Sequence, residues 1–212
     1  MLVDIKEQEI INNFHDLYYH KGTTWQNTHW MGIPVQKYTT DLFIYQELLY
    51  EIRPDLIIET GTMYGGSAYY MATICDILGR GKIITIDIDS NNNRPLHPRI
   101  NYLTGSSIDS KIIEQVKLKI AKGMVVMVIL DSDHTKNHVR QELKLYNGFV
   151  TRNSYLIVED TNINNHPVFS SFGPGPMEAL DDFLLTNNNF IIDSSKEKFL
   201  LTANPRGYLK RV

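Results

Sequence analysis

Short apolar runs alternate with amphipathic segments along most of the chain, from residue 41 onward. Runs that are apolar at successive positions predict strands buried on both faces, and apolar residues at every third or fourth position predict helices. The predicted strands are Asp55–Glu59, Lys82–Asp87, Ile100–Thr104, Met124–Leu130 and Ser154–Val158. The predicted helices are Asp41–Glu51, Gly65–Leu78, Ser110–Ala121, Thr135–Tyr146 and Pro176–Thr186. A closing antiparallel pair is predicted at Phe190–Asp193 and Phe199–Thr202.

This alternation predicts an α/β fold with a doubly wound, mostly parallel Rossmann-like sheet and an antiparallel closing strand. We expect one domain over residues 41–212 and an N-terminal arm or lid over residues 1–40, where no strong periodicity is seen. In such sheets, ligands bind at the carboxyl ends of the strands. The residues that follow each predicted strand are therefore the candidates for function.

The first strand runs into a glycine-rich turn, Glu59–Ser67. An acidic residue precedes the first glycine and the G-x-G-x-x-G pattern is absent, which disfavours a dinucleotide pyrophosphate. A carboxylate there suits a cationic ligand, such as the sulfonium and ammonium groups of S-adenosylmethionine (SAM). An ordinary tight turn would show the same glycines. The predicted donor-binding residues in this turn are Glu59, Gly61, Thr62, Tyr64, Gly65 and Ser67.

The next two strand ends add candidates for the nucleoside part of such a donor. Asp87 follows the second strand, where a carboxylate accepts ribose hydroxyls, although a solvated strand end is the alternative. Ser107 and Ile108 follow the third strand, where small residues leave space for an adenine, and Asp131 after the fourth strand is the last predicted donor-binding residue. Ser107 or Asp109 is equally suited to cap the next helix.

Acidic side chains cluster after the fourth and fifth strands. Asp131, Asp133 and His134 follow the fourth strand, and Glu159 and Asp160 follow the fifth. Neighbouring strand ends bring these carboxylates together, which is costly unless a cation compensates their charge. Oxygen ligands with one imidazole suit Mg²⁺ or Mn²⁺. The alternative is that these acids cap helices or face water.

Two further segments are candidates for the pocket of a methyl acceptor. Trp25, Trp30 and Tyr38 lie in the N-terminal segment, which forms either a lid or acceptor wall, or a purely structural arm. Phe172–Pro176 is a stiff loop that borders the acceptor pocket in this arrangement, and a simple connecting loop would have the same composition.

Composition excludes several classes of function. The formal net charge is −3, so bulk charge predicts neither a nucleic-acid partner nor a membrane partner. A single cysteine excludes an intrachain disulfide and fits a reducing compartment. Residues 1–9 do not have the pattern of a signal peptide, so a cytoplasmic protein is expected. The oligomeric state stays open, a homo-oligomer included.

Taken together, the strand-end motifs resemble the cephalosporin hydroxylase and rhamnosyl O-methyltransferase family. The matching stretches are Asp41–Glu47, Ile58–Thr62, Gly65–Ser67, Thr85–Asp89, His97–Ile100, Gly105–Ser107, Ile129–His134, Leu156–Asn162, Phe172–Pro176 and Glu197–Leu200. They run from about residue 25 to the end of the chain. The resemblance implies a SAM-binding Rossmann-like fold with a Mg²⁺ site.

By the same resemblance, the metal ligands are Asp131, Glu159 and Asp160, with Asp133 as the competing choice for the first of them. The motif is also similar to that of catechol O-methyltransferases, which have a lysine where this chain has His134. The resemblance therefore implies that Asp131 and His134 are the catalytic residues, with His134 as the base.

The function expected from these features is SAM-dependent and Mg²⁺-dependent O-methylation of a small hydroxylated acceptor, such as a sugar. A nicotinamide-dependent oxidoreductase on a similar sheet is one alternative, and the missing G-x-G-x-x-G motif argues against it. A non-catalytic SAM-binding subunit is the other, and the retained acidic cluster argues against that one.

Overall fold

A seven-stranded sheet with helices on both faces forms the centre of the molecule. The structure is a computed structural model that describes residues 4–91 and 93–212. The strands are β1 (His29–Trp30), β2 (Ile33–Pro34), β3 (Leu56–Thr60), β4 (Lys82–Asp87), β5 (Ile100–Thr104), β6 (Val126–Leu130), β7 (Tyr155–Val158), β8 (Phe190–Ile192) and β9 (Tyr208–Arg211). The helices are α1 (Ile5–His20), α2 (Thr39–Ile52), α3 (Gly66–Leu78), α4 (Ser110–Lys117), α5 (Lys136–Tyr146) and α6 (Pro176–Thr186).

The strand order β5-β4-β3-β6-β7-β9-β8 confirms the predicted doubly wound sheet. Strands β3 to β7 are parallel, and β9 pairs antiparallel with both β7 and β8. The chain moves outward from β3 to β5 and then returns to place β6 beside β3. The order of the strands therefore reverses between β3 and β6, which is where sheets of this kind bind their ligands.

Strand β3 shows why the apolar runs predict strands correctly. All five of its residues are buried. Ile57 packs on one face of the sheet and Ile58 packs on the other, so both faces are covered. Helices α2 and α3 cover the first face, and α4, α5 and α6 cover the second. A strand buried on both faces needs apolar residues at successive positions rather than alternate ones.

The predicted closing pair is wrong in its second strand. Phe190–Ile192 pairs with Tyr208–Arg211 and not with the predicted Phe199–Thr202. The carboxylate of Asp41, in the first turn of α2, accepts hydrogen bonds from Thr202 Oγ1 at 2.5 Å and from the Ala203 N–H at 2.8 Å. These bonds hold the segment against α2 and use a backbone donor that a strand would need for its ladder.

The N-terminal segment contains a helix that the apolar pattern does not reveal. Helix α1 begins with a capping box between Asp4 and Glu7, and most of its residues are exposed, with only His15 buried. His15 Nε2 lies 3.0 Å from Asn162 Nδ2, which ties the helix to the segment after β7. Residues 1–3 of the predicted arm lie outside the described part. The first helix of the predicted domain, α2, begins at Thr39 and not at Asp41. The division of the chain into an arm and a domain at residue 41 stays a prediction. Among the described helices, none has the length and apolar character needed to cross a membrane.

Candidate active site

A cavity of about 1120 Å³ opens at the carboxyl ends of β3, β4, β5 and β6. Its wall contains the glycine turn after β3 and the residues that follow the other three strands. The predicted donor-binding residues found on this wall are Gly61, Thr62, Tyr64, Ser67, Asp87, Ser107 and Asp131. Three other predicted residues, Glu59, Gly65 and Ile108, do not line it in the described part of the chain. The strand-end rule therefore locates the cavity, while individual side chains differ from expectation.

Glu59 points into the protein instead of toward this cavity. Its carboxylate is fully buried and accepts hydrogen bonds from Ser67 Oγ at 2.5 Å and from Thr85 Oγ1 at 2.6 Å. Burial raises the pKa of Glu59 to about 7, although the ammonium of Lys37 acts to lower it. The side chain thus joins β3, α3 and β4 behind the glycine turn. Direct contact with a methyl donor would require it to turn outward.

The glycines of the turn are needed for contacts within the protein. Gly61 has a φ of 84°, and a Cβ at this position would lie 1.7 Å from the backbone oxygen of Asp131. Only glycine allows the end of β3 to approach the end of β6 so closely. Gly65 has a φ of 78° and precedes the first residue of α3, so it shapes the turn. Gly61 therefore sets the position of Asp131 in addition to any contact with a ligand.

We expect Gly61→Ala to destabilise the protein by roughly 3 kcal/mol or more, because it adds overpacking against backbone to the strain of a positive φ. The measurement is the free energy of unfolding in urea. Gly123→Ala is the matched control: its φ is 88°, and a Cβ there meets nothing within 4 Å. A left-handed conformation alone costs about 1–2 kcal/mol. Equal losses in the two variants would show that the close approach to Asp131 is unimportant.

Asp87 ends β4 and lines the cavity. Its Oδ2 accepts hydrogen bonds from the N–H groups of Thr62 and Met63 at 3.0 and 2.7 Å, and its Oδ1 accepts one from the N–H of Asp89 at 2.9 Å. Arg94 lies 3.2 Å from Oδ2 and completes the cage around the carboxylate. Asp87 therefore fastens the glycine turn to β4, and its role as a ribose ligand stays a prediction.

The residues after β5 are held by a polar group from α5. Ser107 is buried, and its Oγ lies 3.0 Å from Nε2 of His138. His138 Nε2 in turn lies 3.6 Å from the buried carboxylate of Glu142. Ile108 is half-buried beside this group. The arrangement leaves Gly105, Ser106 and Ser107 on the cavity wall as small residues, as expected for a site that holds a flat ring.

Asp131, His134 and Asp160 come together at the ends of β6 and β7. One ligand atom from each of the three lies within 4.8 Å of the others. His134 Nε2 is 3.2 Å from Asp160 Oδ2 and 4.0 Å from Asp131 Oδ1. Asp160 has a φ of 54°, a left-handed conformation that is unusual for this residue type and is often found at functional sites. The three side chains are half-buried and all line the cavity.

Lys37 is the functional residue that no motif in the sequence indicates. Its buried ammonium lies 2.6 Å from Asp131 Oδ2 and 2.6 Å from Glu159 Oε2. The other oxygen of Glu159 accepts a hydrogen bond from the Tyr45 hydroxyl. Both oxygens of Glu159 are thus occupied, and it borders a smaller cavity behind the main one. A lone lysine in an irregular segment carries no spacing signal, and only the fold places it here.

The charges of this cluster are poorly compensated by the protein alone. Burial raises the pKa of Asp131, Glu159 and Asp160, and the ammonium of Lys37 opposes that shift. Burial lowers the pKa of His134, but the nearby Asp160, Asp131 and Glu159 outweigh it, and the net shift is upward. Lys37 also keeps a raised pKa, because the carboxylates outweigh its burial. The site therefore attracts positive charge.

The donor atoms fit a hard divalent cation. Asp131, His134 and Asp160 line one cavity, and each offers a ligand atom within 4.8 Å of the other two, a spacing that a shared ion can bridge. Carboxylate oxygens are the ligands that Mg²⁺ and Mn²⁺ prefer, and one imidazole is compatible with Mn²⁺. Asp133, the alternative first ligand, is exposed, and its Oδ1 accepts a hydrogen bond from the Thr135 N–H at 2.8 Å. The described geometry thus favours Asp131 over Asp133.

Comparisons with known proteins agree with this fold. A family model described as Rhamnosyl O-methyltransferase/CmcI matches residues 22–212. A rhamnosyl O-methyltransferase of Mycobacterium tuberculosis is 40% identical over 215 residues, which cover 95% of this chain and 85% of the relative. A rhamnosyl O-methyltransferase of Mycobacterium leprae is 38% identical, with coverages of 95% and 90%.

Solved structures show the same fold. CmcI in complex with Mg and SAM has a TM-score of 0.65 at 20% identity, covering 88% of this chain and 77% of that one. A Staphylococcus aureus protein described as a caffeoyl-CoA O-methyltransferase has a TM-score of 0.56 at 14% identity, covering 87% of this chain and 84% of that one. Both have the sheet and flanking helices of class I methyltransferases.

The fold, the strand-end cavity and the relatives define a SAM-dependent O-methyltransferase, which confirms the predicted class. The chain belongs to the Rhamnosyl O-methyltransferase/CmcI family, as its motifs predict.

Proposed function

We propose that this protein transfers the methyl group of SAM to a hydroxyl of a sugar, with Mg²⁺ or Mn²⁺ held beside the acceptor. The observation that carries the proposal is the cluster of Asp131, His134 and Asp160, which faces the same cavity as the glycine turn. The names of the mycobacterial relatives support a sugar acceptor, and the Mg and SAM bound to CmcI support the cofactors.

The donor would lie along the cavity wall formed by the residues after β3, β4 and β5. Asp87 provides a carboxylate for the ribose, and Gly105 to Ser107 leave room for the adenine. Gly61 and Thr62 bring backbone groups to the surface of the turn, close to Asp131. A donor held by these residues would have its methyl group beside the acidic cluster, where in-line transfer to an acceptor oxygen requires it.

Asp131 and Asp160 would hold the cation through the oxygens that face the cavity. Glu159 stays a predicted third ligand, and it joins them only where the Lys37 ammonium shares or releases Oε2. A divalent cation at this position lowers the pKa of a hydroxyl that it binds. The protein's contribution is to fix the two carboxylates at the ends of the adjacent strands β6 and β7.

His134 would accept the proton of the acceptor hydroxyl at Nε2. The same atom cannot bind a cation and accept a proton at once, so the two roles can be separated. We expect His134→Gln to lower kcat by about 10²–10³-fold while leaving the affinity for Mn²⁺ unchanged within about threefold. Single-turnover kinetics and Mn²⁺ titration followed by electron paramagnetic resonance measure the two effects. A large loss of Mn²⁺ affinity would instead make His134 a ligand.

The proposed reaction is tested by incubating the protein with methyl-labelled SAM, Mg²⁺ and methyl α-L-rhamnopyranoside or longer rhamnosides. The expected product carries the label on a sugar oxygen, as identified by NMR. His97→Gln is the matched control for His134→Gln, because His97 pairs with Asp76 and does not line the cavity. SAM binding without transfer to any hydroxylated sugar would contradict the sugar acceptor.

A further inference from the structure

Four aromatic side chains line one end of the main cavity, and the donor and metal assignments leave them unused. Tyr19 and Trp25 come from the N-terminal segment, and Phe169 and Phe172 come from the loop after β7. We call these four residues the aromatic wall. The ring centroids of Tyr19 and Trp25 are 5.6 Å apart with the rings stacked. Phe169 lies 6.3 Å from Tyr19 and 5.5 Å from Phe172, so the rings form one continuous surface.

The aromatic wall lies next to the acidic cluster. Tyr19 and Trp25 share the smaller adjoining cavity with Asp131 and Asp160. Asp131 in turn contacts the glycine turn through Gly61. The aromatic wall therefore adjoins the acidic cluster of Asp131, His134 and Asp160, and this cluster adjoins the glycine turn. A molecule on the wall would have its hydroxyls within reach of the cluster, which lies between the wall and the glycine turn.

The protein holds Phe169 in a conformation that its own backbone disfavours. Phe169 has a φ of 47°, which is rare for a bulky residue, and its side chain is 39% exposed. Strain of this kind persists only where the surroundings impose it, and it is concentrated at functional sites. Glu178 of α6 ties down the loop on both sides of Phe169, because it accepts hydrogen bonds from Asn164 Nδ2, His166 Nε2 and the Gly175 N–H. The loop is therefore built to present an aromatic ring to the cavity.

Trp25 is also oriented by the protein. Its indole Nε1 donates to the backbone oxygen of Tyr19 at 3.1 Å, which satisfies the polar edge of the ring within the protein. The flat apolar rings are then available to a ligand. Flat aromatic surfaces bind ligands that offer a flat apolar face of similar size, with polar groups left to the rim.

We propose that the aromatic wall binds the pyranose ring of a 6-deoxyhexose in the acceptor. The C–H groups on one face of such a ring, with its methyl group, match the wall, and its hydroxyls on the opposite edge reach Asp131 and Asp160. This inference rests on the proposed function and names the subsite that selects its acceptor. Adenine of the donor is the competing occupant, and the experiment distinguishes it.

Trp25 itself reports occupancy of the wall. The only other tryptophan, Trp30, donates to Thr73 Oγ1 and packs on Tyr70, away from the cavity. The Trp30→Phe variant therefore carries Trp25 as its single fluorophore. We expect methyl α-L-rhamnopyranoside, added in the presence of Mg²⁺ and S-adenosylhomocysteine, to change its emission saturably. The Trp25→Phe variant, which retains Trp30, should give no change.

Two comparisons measure the selectivity of the wall. Methyl α-L-mannopyranoside, in which a hydroxyl replaces one hydrogen of the methyl group, should bind at least about fivefold more weakly. Phe169→Ala should raise the KM for the rhamnoside at least about tenfold and leave the affinity for SAM unchanged, because the lost contact is made by the acceptor alone. Trp25 emission that responds to SAM and not to the rhamnoside would overturn the proposal and assign the wall to the donor.

The outcomes separate this inference from the proposed function. Methyl transfer to the rhamnoside with no response from Trp25 and an unchanged KM in Phe169→Ala would overturn the wall alone. A saturable response of Trp25 without transfer to any sugar would support the wall and contradict the reaction. Absence of both binding and transfer would overturn both.

Discussion

Asp131→Asn is expected to reduce methyl transfer by about three orders of magnitude, with kcat more affected than the affinity for SAM. The substitution keeps the shape of the side chain but removes the charge that faces both the cavity and Lys37. Loss of a metal ligand at the reacting oxygen costs several kcal/mol of transition-state stabilisation, and about 4 kcal/mol corresponds to this factor. Steady-state kinetics with a rhamnoside acceptor, across a range of Mg²⁺ concentrations, measure the effect.

Asp133→Asn is the matched control for this substitution. Asp133 lies two residues away and carries the same group, but it is exposed and accepts a hydrogen bond from the Thr135 N–H. We expect its kcat to stay within about threefold of the unaltered protein, because Asp133 lines the cavity but lies outside the cluster of Asp131, His134 and Asp160. A severe loss in Asp133→Asn with little effect in Asp131→Asn would make Asp133 the first metal ligand and contradict the assignment made here.

Lys37→Met is expected to lower the free energy of unfolding by about 3–5 kcal/mol in the absence of divalent metal. The substitution removes the ammonium that lies 2.6 Å from both Asp131 and Glu159, and it leaves buried carboxylates uncompensated. Because a bound cation would replace that charge, Mg²⁺ or Mn²⁺ should stabilise Lys37→Met more than the unaltered protein. Urea unfolding with chelator and with each metal measures both effects.

Lys198→Met separates this effect from the loss of any lysine contact. Lys198 also pairs with a carboxylate, that of Glu47 at 2.6 Å, but the pair is solvent-exposed. Exposed pairs contribute about 1 kcal/mol or less, so this variant should unfold almost as the unaltered protein does, with or without metal. A loss in Lys37→Met no larger than in Lys198→Met would mean that Lys37 does not neutralise the cluster.

The central strands of the sheet were predictable because they are buried on both faces. Ile57 and Ile58 of β3 pack on opposite faces, so an apolar run at successive positions marks the strand. Prediction failed where a single long-range contact decides the structure. The segment around Thr202 has a strand-like composition, yet the carboxylate of Asp41 fixes it against α2. No local pattern reveals such a contact between residues so far apart in the chain.

The candidate site was also predictable only in part, because long-range contacts decide where some of its side chains point. Parallel strands end at one edge of a sheet, and this rule predicts that the acidic residues after β6 and β7 lie close together, as they do. The direction of a side chain at the turn is not fixed by that rule. Glu59 turns inward because Ser67 and Thr85 offer it two hydroxyl donors. Lys37 reaches the cluster from an irregular segment, which has no periodicity to predict its place.

Withdrawal and return of the metal show whether methyl transfer by this protein depends on a bound cation. The unaltered protein is treated with a chelator, passed into metal-free buffer and assayed for transfer of labelled methyl from SAM to a rhamnoside. We expect transfer to fall by at least about 10²-fold and to return saturably with Mg²⁺ at one ion per chain. Transfer that continues at an undiminished rate without metal would contradict this dependence.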